Sequence, residues 1–583
     1  MMLVYGDIAR VEDAACVRRR IAEDMSACTL LPPGRQRHEL LVQTFVATGE
    51  LAQGLADQEF DQRAADDLSD VQDAGSRLLL VQAQAILRSW QASFLGELTL
   101  PAEWPLLLDR LDGPEPVRMK RAEGYAFYAL YPESYIEAAL RSGLPPTTVV
   151  IGIRNIGMSL AALVAAALGS GPAYSLRPTG HPFSRHLQIG QMLGDRILAE
   201  RDVDFAIVDE GPGLSGSSFG CVADWLQTNG VSPLRLHFFP SHSGDLGPRA
   251  SSAHRQRWKE RPIHLADARD LIIDTPQGAR SLQTWASELV GTSEPSWRDI
   301  SGGRWRALRY DNVESWPPSY RQQEKLKFLM PEGDKRWLVK FAGLCKAGAD
   351  KARRGALLSE AGFTPTVIGT CYGFIIEQWA DGQALETSAL TKERMLDHIG
   401  RYLGFRARHL PAQHGGASLD DLCHMAVSNA GEAIGMDAAR QLERLIGQPH
   451  RLVRYLRRID TDNRLHVWEW LLSNDGRLLK TDALDHNGAH DLIGCQDIAW
   501  DVAGASVEFD LSSDERTRLA EIIAREADRE LREDVLTVFE ACYLGFQIGL
   551  WSVASTGDLE CETLRAQKIV RRYTDRLQRL LRT

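Results

Sequence analysis

The chain has 583 residues, of which 44% are hydrophobic and 25% are charged, a balance typical of globular domains and not of disordered or fibrous proteins. At about 150 residues per domain, this length predicts two to four folded units and excludes a single small binding module. The net charge of −11 argues against a protein that coats a polyanion, so we do not expect nucleic acid among its partners.

Cysteine usage and the N-terminal segment both bear on the compartment. The nine cysteines are scattered without a Cys-x-x-Cys pair, which favours reduced thiols over a disulfide framework or a zinc ribbon. The first residues include an acid and lack the apolar core of a signal peptide. The longest uncharged stretch, 155–176, contains many Ala, Gly and Ser residues and Pro172, which favours a buried helix over a membrane span. We therefore expect a cytoplasmic protein with no membrane partner.

The first half of the chain changes its pattern near residue 112. Apolar and acidic residues at helical spacing predict a helical N-terminal region over 1–112, and several prolines end it. In the following part, the apolar runs 147–153 and 204–208 each precede a glycine-containing loop and a helical pattern, and 233–239 gives a further strand. This alternation predicts an α/β domain over 113–290 with a doubly wound parallel sheet.

The second half begins after a stretch containing Gly, Ser, Thr and Pro at 279–304. Hairpin-like strands follow it, then helical patterns over much of 386–458, a polar segment, and helices over 513–583 that end in a basic run. This order predicts an α+β domain over 295–583. We find no internal repeat and no low-complexity tract.

Two acids precede a loop of small residues in the first half. Asp209 and Glu210 follow a predicted buried strand, at the edge where open α/β sheets bind ligands. The loop and the start of the next helix contribute Gly211, Gly213, Ser215, Gly216, Ser217 and Ser218. Backbone N–H groups and serine hydroxyls in such a loop can bind a phosphate. Because carboxylates repel phosphate, the two acids would face ribose hydroxyls or Mg²⁺.

Two other interpretations of this loop remain open. GPGLSG satisfies the G-x-G-x-x-G pattern of dinucleotide-binding folds, but 237–240 provides no acid where that fold needs one. The loop could also be a purely structural turn.

The strand, the acid pair and the small-residue loop resemble the phosphoribosyl pyrophosphate motif of type I phosphoribosyltransferases, over roughly 117–261. The resemblance implies that Asp209 and Glu210 form the catalytic pair, which binds the ribose hydroxyls, and that the loop binds the 5′-phosphate. It further implies a pyrophosphate loop and a basic hood, whose ligands are Arg154, Asn155, Gly157, Arg177 and Arg185, with His181 and His186 nearby.

This resemblance implies transfer of a ribosyl phosphate from phosphoribosyl pyrophosphate, with Mg²⁺, to or from a base-like small molecule. Such a displacement needs positioning and anion stabilisation more than a nucleophile. The loop reads Leu-Ser-Gly-Ser-Ser where the family often has a Thr-Gly-Gly-Thr type, and no base-recognition hood is identifiable. The acceptor therefore stays open.

The second half carries a second resemblance. Lys340 lies in the strand pattern KRWLVKFAG, and Glu377 lies in FIIEQWADGQAL, an order similar to the small lobe and hinge of aminoglycoside phosphotransferase-like kinases. The resemblance implies a bilobal kinase-like domain in which Lys340 and Glu377 bind ATP. Asp482 in NDGRLLKTDALDH would bind Mg²⁺, and Asp501 in QDIAWDVAGA would support the catalytic loop.

The expected catalytic loop departs from that family. In place of His-Gly-Asp and an asparagine five residues after the aspartate, the chain has DTDNRLHVWEWLL. Asp462 is the candidate catalytic base and Glu469 the candidate metal ligand, seven residues apart. The departure leaves open a degenerate kinase that binds nucleotide without phosphorylating a substrate.

The combined hypothesis is a two-activity enzyme whose ligands are phosphoribosyl pyrophosphate or a nucleotide and a small-molecule acceptor, with a homodimer left open. The alternative is a sensor of nucleotides or phosphoribosyl pyrophosphate that signals through the helical N-terminal region. A transition-metal site is a further alternative, built from Asp482, Asp485, His486, His490 and Cys495.

Overall fold

The protein is described from a computed structural model. The structure describes residues 1–6, 9–113, 116–213, 215–247, 250–276, 278–292, 296–385, 390–413, 415–486, 488, 492–557 and 559–582.

Helices dominate the first part of the chain, as the spacing of its apolar residues predicts. The elements are β1 (Arg10–Glu12), α1 (Ala14–Leu30), α2 (Arg35–Arg63), α3 (Asp70–Gln91), α4 (Trp104–Asp109) and β2 (Val117–Met119). The carboxylate of Asp13 caps α1 by accepting from the N–H groups of Ala15 and Cys16, and Ser69 caps α3. β1 and β2 pair antiparallel and close this region.

The next part contains a four-stranded parallel sheet. Its elements are α5 (Glu123–Phe127), α6 (Pro132–Ser142), β3 (Val149–Ile153), α7 (Gly157–Leu168), β4 (Tyr174–Leu176), β5 (Thr179–His181), β6 (Ser184–His186), α8 (Gln191–Ile197), β7 (Phe205–Val208), α9 (Ser217–Thr228), β8 (Leu236–Phe239), α10 (Ser252–Glu260) and α11 (Leu282–Val290). The strand order is β4-β3-β7-β8, with parallel pairing throughout. β5 and β6 form a separate hairpin.

Both faces of this sheet are covered. Side chains alternate along a strand, so Val150 and Val208 pack with α7 in one hydrophobic cluster, whereas Ile151 and Ile207 pack with α8 and α9 in another. Helices on both sides are the arrangement that the near-continuous apolar strands predict.

The C-terminal half has two lobes. The first contains β9 (Arg298–Asp299), β10 (Lys327–Glu332), β11 (Lys335–Phe341), α12 (Cys345–Glu360), β12 (Val367–Cys371) and β13 (Phe374–Gln378). The strands form an antiparallel sheet in the order β12-β13-β11-β10-β9. The chain leaves β13 through 379–381 and enters the second lobe, so this short segment connects the two lobes.

The second lobe is mainly helical. Its elements are β14 (Gly382–Ala384), α13 (Lys392–His409), α14 (Leu419–Ala433), α15 (Met436–Ile446), β15 (Arg458–Ile459), β16 (Trp470–Ser473), β17 (Leu478–Lys480), β18 (Gln496–Asp497), α16 (Ala499–Glu508), α17 (Ser513–Ala527), α18 (Glu533–Ala554) and α19 (Glu560–Leu580). β14, β16 and β17 form a small antiparallel sheet beside the first lobe, and β15 pairs with β18.

One hydrophobic core joins the regions predicted as three units. It contains side chains of α2 and α3, of the parallel sheet, and of the antiparallel sheet of the first lobe. The hydroxyl of Tyr131 donates to the carbonyl of Tyr372 at 2.9 Å, and the Leu344 N–H donates to the carbonyl of Tyr125 at 2.9 Å. Each buried aromatic or aliphatic side chain in this core contributes about 1.5–3 kcal/mol, so these regions stabilise one another.

Among the described residues, α18 is the one helix long and apolar enough to cross a membrane by length and composition. However, 89% of its apolar window is buried inside the protein, the burial expected of a core helix. The uncharged stretch at 155–176 contains α7, which is also buried.

Candidate functional site

A cleft of about 1440 Å³ separates the two lobes of the C-terminal half; we call it the interlobe cleft. The first lobe contributes the side chains of Lys327, Leu338, Lys340 and Glu377. The second lobe contributes the side chains of Glu469, Asp482, Asp485 and His486. Aromatic rings line the rest of the cleft, including those of Trp305, Trp379, Trp468 and Trp551.

The pairing of the strands in the first lobe explains why Lys327 and Lys340 line the same wall of the cleft. Lys327 lies opposite Lys340 in the β10–β11 pair, and Leu338 lies opposite Glu377 in the β11–β13 pair. Because residues two apart in a strand share a face, these four side chains point to the same side of the sheet.

Lys340 connects the two lobes electrostatically. Its ammonium contacts the carboxylates of Asp482 and Asp485, and the ammonium of Lys327 lies 3.7 Å from Asp482 Oδ2. Burial alone would raise the pKa of Asp482, but the ammonium groups of Lys340 and Lys327 outweigh it and hold that pKa well below its ordinary range. The structure thus brings together Lys340, Glu377 and Asp482, the predicted nucleotide and metal ligands.

Asp501 holds the loop that resembles the catalytic loop. Its carboxylate accepts hydrogen bonds from the backbone N–H groups of Asp462 and Asn463 at 2.8 and 2.9 Å. This is the supporting role that the resemblance implies for Asp501.

The predicted base, Asp462, does not line the cleft. Its side chain is buried, accepts a hydrogen bond from the Tyr402 hydroxyl, and lies 3.2 Å from the N–H of Arg464. A general base must reach the proton it removes at about 2.6–3.2 Å. In this structure the Asp462 carboxylate faces Tyr402 and Lys480, and its role as the catalytic base stays a prediction.

Glu469 lines the cleft but is paired. Its Oε2 accepts from the ammonium of Lys480 at 2.7 Å, so the predicted metal ligand is neutralised by a residue that sequence reasoning missed. One feature of the sequence pointed to Lys480: it lies only two residues before Asp482, the predicted metal ligand. Nothing local showed that its side chain would reach Glu469.

The transition-metal alternative is not assembled among the described residues. Cys495 Sγ lies 3.2 Å from Asp460 Oδ1, and Asp485 pairs with Lys340 and Lys351. His490 lies outside the described residues.

A second cleft, of about 1070 Å³, opens at the carboxyl ends of β7 and β8; we call it the glycine-loop cleft. Of the predicted ligands, Glu210, Gly211 and Gly213 line it. Its other walls come from the segments 128–138, 240–242 and 265–268.

Asp209 and Glu210 have no salt-bridge partner in the part of the chain that the structure describes. Asp209 Oδ1 accepts from the N–H of Glu210 at 2.8 Å. Burial raises the pKa of Asp209 to about 7, and burial together with the neighbouring Asp209 charge raises the pKa of Glu210 to about 8. Unpaired carboxyl groups with raised pKa values beside a cleft are candidates for a functional site.

Gly157 is required by close packing. A Cβ there would lie 2.7 Å from the Val208 carbonyl oxygen and 3.2 Å from Asp209 Oδ1. The start of α7 therefore lies against the acid pair, next to the exposed Asn155.

The predicted basic ligands are engaged elsewhere. Arg154 is buried, where it contacts Asp66 and lies 3.3 Å from Asp57. Arg177 pairs with Asp61 at 3.0 Å, and its guanidinium lies over Phe60. Arg185 donates to the carbonyl of Gly180 at 3.1 Å. In this structure Arg154 and Arg177 attach the sheet to α2, and Arg185 contacts its own hairpin. That these three side chains bind pyrophosphate stays a prediction.

The serines of the loop also serve the hairpin. The hydroxyls of Ser215 and Ser217 donate to the carbonyl of Pro182 at 2.8 and 2.7 Å, between β5 and β6. Gly216 adopts φ +64°, which suits glycine, and Ser218 is half-buried at the start of α9. Leu214, within the same loop, lies outside the described residues.

Comparison with known proteins gives structural similarity only. No protein-family model matches the chain, and no curated protein matches it significantly. A choline kinase from Streptococcus pneumoniae aligns with TM-score 0.31 and 15% identity over 43% of this chain and 89% of its own. A spectinomycin phosphotransferase solved with ADP and spectinomycin aligns with TM-score 0.34 and 10% identity over 51% and 97%.

A macrolide 2′-phosphotransferase from Brachybacterium faecium aligns with TM-score 0.30 and 11% identity, over 43% of this chain and 88% of its own. These values do not assign a family, and none of these structures is a phosphoribosyltransferase. The proposals below therefore depend on the geometry of the two clefts.

Replacing Arg154 tests its structural role. Arg154→Met would leave the buried Asp66 without its cation, so we expect the free energy of unfolding to fall by about 3–5 kcal/mol, measured by urea denaturation. Adding Asp66→Asn should recover much of the loss. Unchanged stability in Arg154→Met would contradict this role.

The acid pair makes stability depend on pH. Asp209 and Glu210 stay protonated in the folded protein up to about pH 7 and 8, against ordinary pKa values of 3.8 and 4.5. The folded chain then binds more protons than the unfolded chain, so stability falls as pH rises from about 4 to 8, by up to about 1.4 kcal/mol per unit for each group. Urea unfolding across this range should show a flatter profile for Asp209→Asn with Glu210→Gln. Identical slopes would refute the raised pKa values.

Proposed function

We propose that the C-terminal half binds ATP with Mg²⁺ in the interlobe cleft and transfers the γ-phosphoryl group to a hydroxyl of a small molecule. The observation that carries this proposal is the meeting of Lys340, from the first lobe, with Asp482, from the second. A basic group for phosphate and an oxygen ligand for a hard cation then meet at the wall of the interlobe cleft.

The residues of the cleft fit the two expected ligands. The side chain of Asp482 is 27% exposed, and its low pKa keeps it anionic, so it can bind Mg²⁺. Lys327 and Lys340 supply positive charge for the phosphates, while Trp305 and Trp379 offer flat apolar surfaces to a base. The metal would supply charge neutralisation and bridging of the phosphates.

Substitution of Lys340 or Asp482 tests the nucleotide site. Lys340→Met removes a charge-assisted contact worth about 1.5–3 kcal/mol, so the affinity for ATP·Mg²⁺ should fall about 10- to 100-fold, measured by calorimetry. Asp482→Asn should abolish the increase in nucleotide affinity on adding Mg²⁺. Asp475→Asn, at an exposed acid of the β16–β17 turn, is the matched control. Unchanged binding in both cleft variants would exclude this site.

A nucleotide sensor is the second candidate function, and the burial of Asp462 favours it. A cleft that binds ATP but presents no base at Asp462 would report nucleotide levels without phosphoryl transfer. Incubating the protein with ATP, Mg²⁺ and a metabolite extract, followed by mass spectrometry, distinguishes the two. A compound that gains a phosphate supports the enzyme, and nucleotide binding without any such product supports the sensor.

For the glycine-loop cleft, we propose binding of a sugar phosphate such as phosphoribosyl pyrophosphate, and transfer of its ribosyl phosphate. The supporting observation is that Asp209 and Glu210, which have no salt-bridge partner among the described residues, follow a parallel strand at its carboxyl end, with Glu210 and the glycine loop lining a cleft. Carboxylates bind vicinal hydroxyls and Mg²⁺, and the start of α9 beside the loop favours an anion.

Removing both acids tests this second activity. Asp209→Asn with Glu210→Gln should abolish Mg²⁺-dependent binding of phosphoribosyl pyrophosphate and any pyrophosphate release, because the oxygen ligands lose their charge. Glu200→Gln with Asp202→Asn changes two exposed acids before β7 and should leave both unchanged. Retained pyrophosphate release in the first double variant would remove the assignment.

A further inference from the structure

Lys480 occupies an unusual position beneath the interlobe cleft. It is the last residue of β17, its side chain is fully buried, and its ammonium lies 2.7 Å from Glu469 Oε2 and 3.5 Å from Asp462 Oδ1. It also donates to the carbonyl of Thr481 at 2.9 Å. Two carboxylates from the loop after β15 thus converge on one ammonium.

The same two carboxylates otherwise form a metal-binding arrangement. Asp462, Glu469 and His486 each offer a ligand atom within 4.8 Å of the others. Nδ1 of His486 is buried and has no hydrogen-bond partner among the described residues. Oxygen, oxygen and nitrogen ligands suit a divalent ion such as Mn²⁺. The ammonium of Lys480 lies at hydrogen-bond distance from one of the two carboxylates, where a cation would bind.

Charge explains why the site does not fit a metal while Lys480 is present. Protein kinases hold two Mg²⁺ ions, one on the aspartate after a strand and one on a residue of the catalytic loop. In this chain Asp482 occupies the position of the first ligand. Glu469 occupies the position of the second ligand, where it carries one negative charge more than the expected asparagine. The ammonium of Lys480 lies between these two carboxylates, 2.7 Å from Glu469 Oε2 and 3.5 Å from Asp462 Oδ1, so it supplies the positive charge that a metal ion would bring.

We propose that the ammonium of Lys480 takes the place of the second divalent ion, so that the interlobe cleft binds its nucleotide with a single divalent ion, held by Asp482. The part of this inference that concerns nucleotide rests on the proposed function. The part that concerns Asp462, Glu469 and His486 does not, because it is a statement about which cation these side chains hold.

Counting bound Mn²⁺ by electron paramagnetic resonance tests both parts. The counts are made in the Asp209→Asn, Glu210→Gln background, which removes the acid pair of the glycine-loop cleft. With a non-hydrolysable ATP analogue present, this protein should bind one Mn²⁺ per nucleotide, and adding Lys480→Met should raise the count to two. Without nucleotide, Lys480→Met should gain one Mn²⁺ relative to the unaltered protein, and Mn²⁺ should raise its unfolding temperature. If Lys480 had only a structural role, its replacement would change the stability of the protein but not the number of bound Mn²⁺ ions.

Matched variants identify the ligands and guard against misfolding. Lys480→Arg keeps the charge and should keep the count of the unaltered protein. Adding Glu469→Gln to Lys480→Met should cancel the gain. Lys480→Gln retains a donor for the Thr481 carbonyl and replaces Lys480→Met if the latter does not fold.

The outcomes separate the two proposals. Two Mn²⁺ per nucleotide in the Asp209→Asn, Glu210→Gln background, or no gain on adding Lys480→Met or Lys480→Gln in folded protein, would overturn the role of Lys480. Absence of nucleotide binding would overturn the proposed function alone, and the nucleotide-free arm would still decide what Lys480 does.

Discussion

The C-terminal half depends on the pairing of buried charges of opposite sign between its lobes. Lys340 reaches from β11 to Asp482 and Asp485, and Lys351 from α12 pairs with Asp485 at 2.7 Å. Removing one partner of such a pair leaves an uncompensated buried charge, although apolar replacement of whole pairs is often neutral for stability. The network is therefore better explained by binding than by stability, because it concentrates both signs of charge beside a cleft.

The two clefts are neighbours through the segment that contains α5. At one end, a Cβ on Gly124 would lie 3.0 Å from the carboxyl carbon of Glu210. At the other, the ammonium of Lys325, which lines the interlobe cleft, donates to the Phe127 carbonyl at 3.2 Å and lies 6.0 Å from the ring of Tyr128. Tyr128 lines the glycine-loop cleft. The side chain of Lys325, which lines one cleft, therefore lies near a residue that lines the other.

Local patterns predicted the parts of the fold that depend on local physics. The apolar runs 147–153 and 204–208 contain β3 and β7, and Lys340 lies in β11 as its strand pattern predicts. The positions of the acid pair and of Asp482 beside clefts follow from strand endings. Strand alternation and the turn residues that end a strand are properties of a few neighbouring residues, so the sequence reveals them directly.

Contacts between distant residues were not predictable in this way. Arg154 is a basic residue at the position where the resemblance implies a pyrophosphate ligand. Its partner Asp66, however, is 88 residues away and belongs to the segment after α2. The shared core of the three predicted units was not predictable for the same reason, because apolar periodicity shows that a face is buried but not which residues cover it. Lys480 was overlooked because a strand lysine is usually exposed, whereas this one is buried against Glu469 and Asp462.

The two clefts hold their carboxylates in opposite electrostatic states. In the interlobe cleft, fixed ammonium groups keep Asp482 ionised, so a divalent ion there would compete with lysine and not with protons. In the glycine-loop cleft, Asp209 and Glu210 have no such partner among the described residues, and their raised pKa values mean that a cation would have to displace protons near neutral pH. Metal binding at the second cleft would therefore release protons and strengthen with pH, whereas binding at the first would respond mainly to the arrival of phosphate.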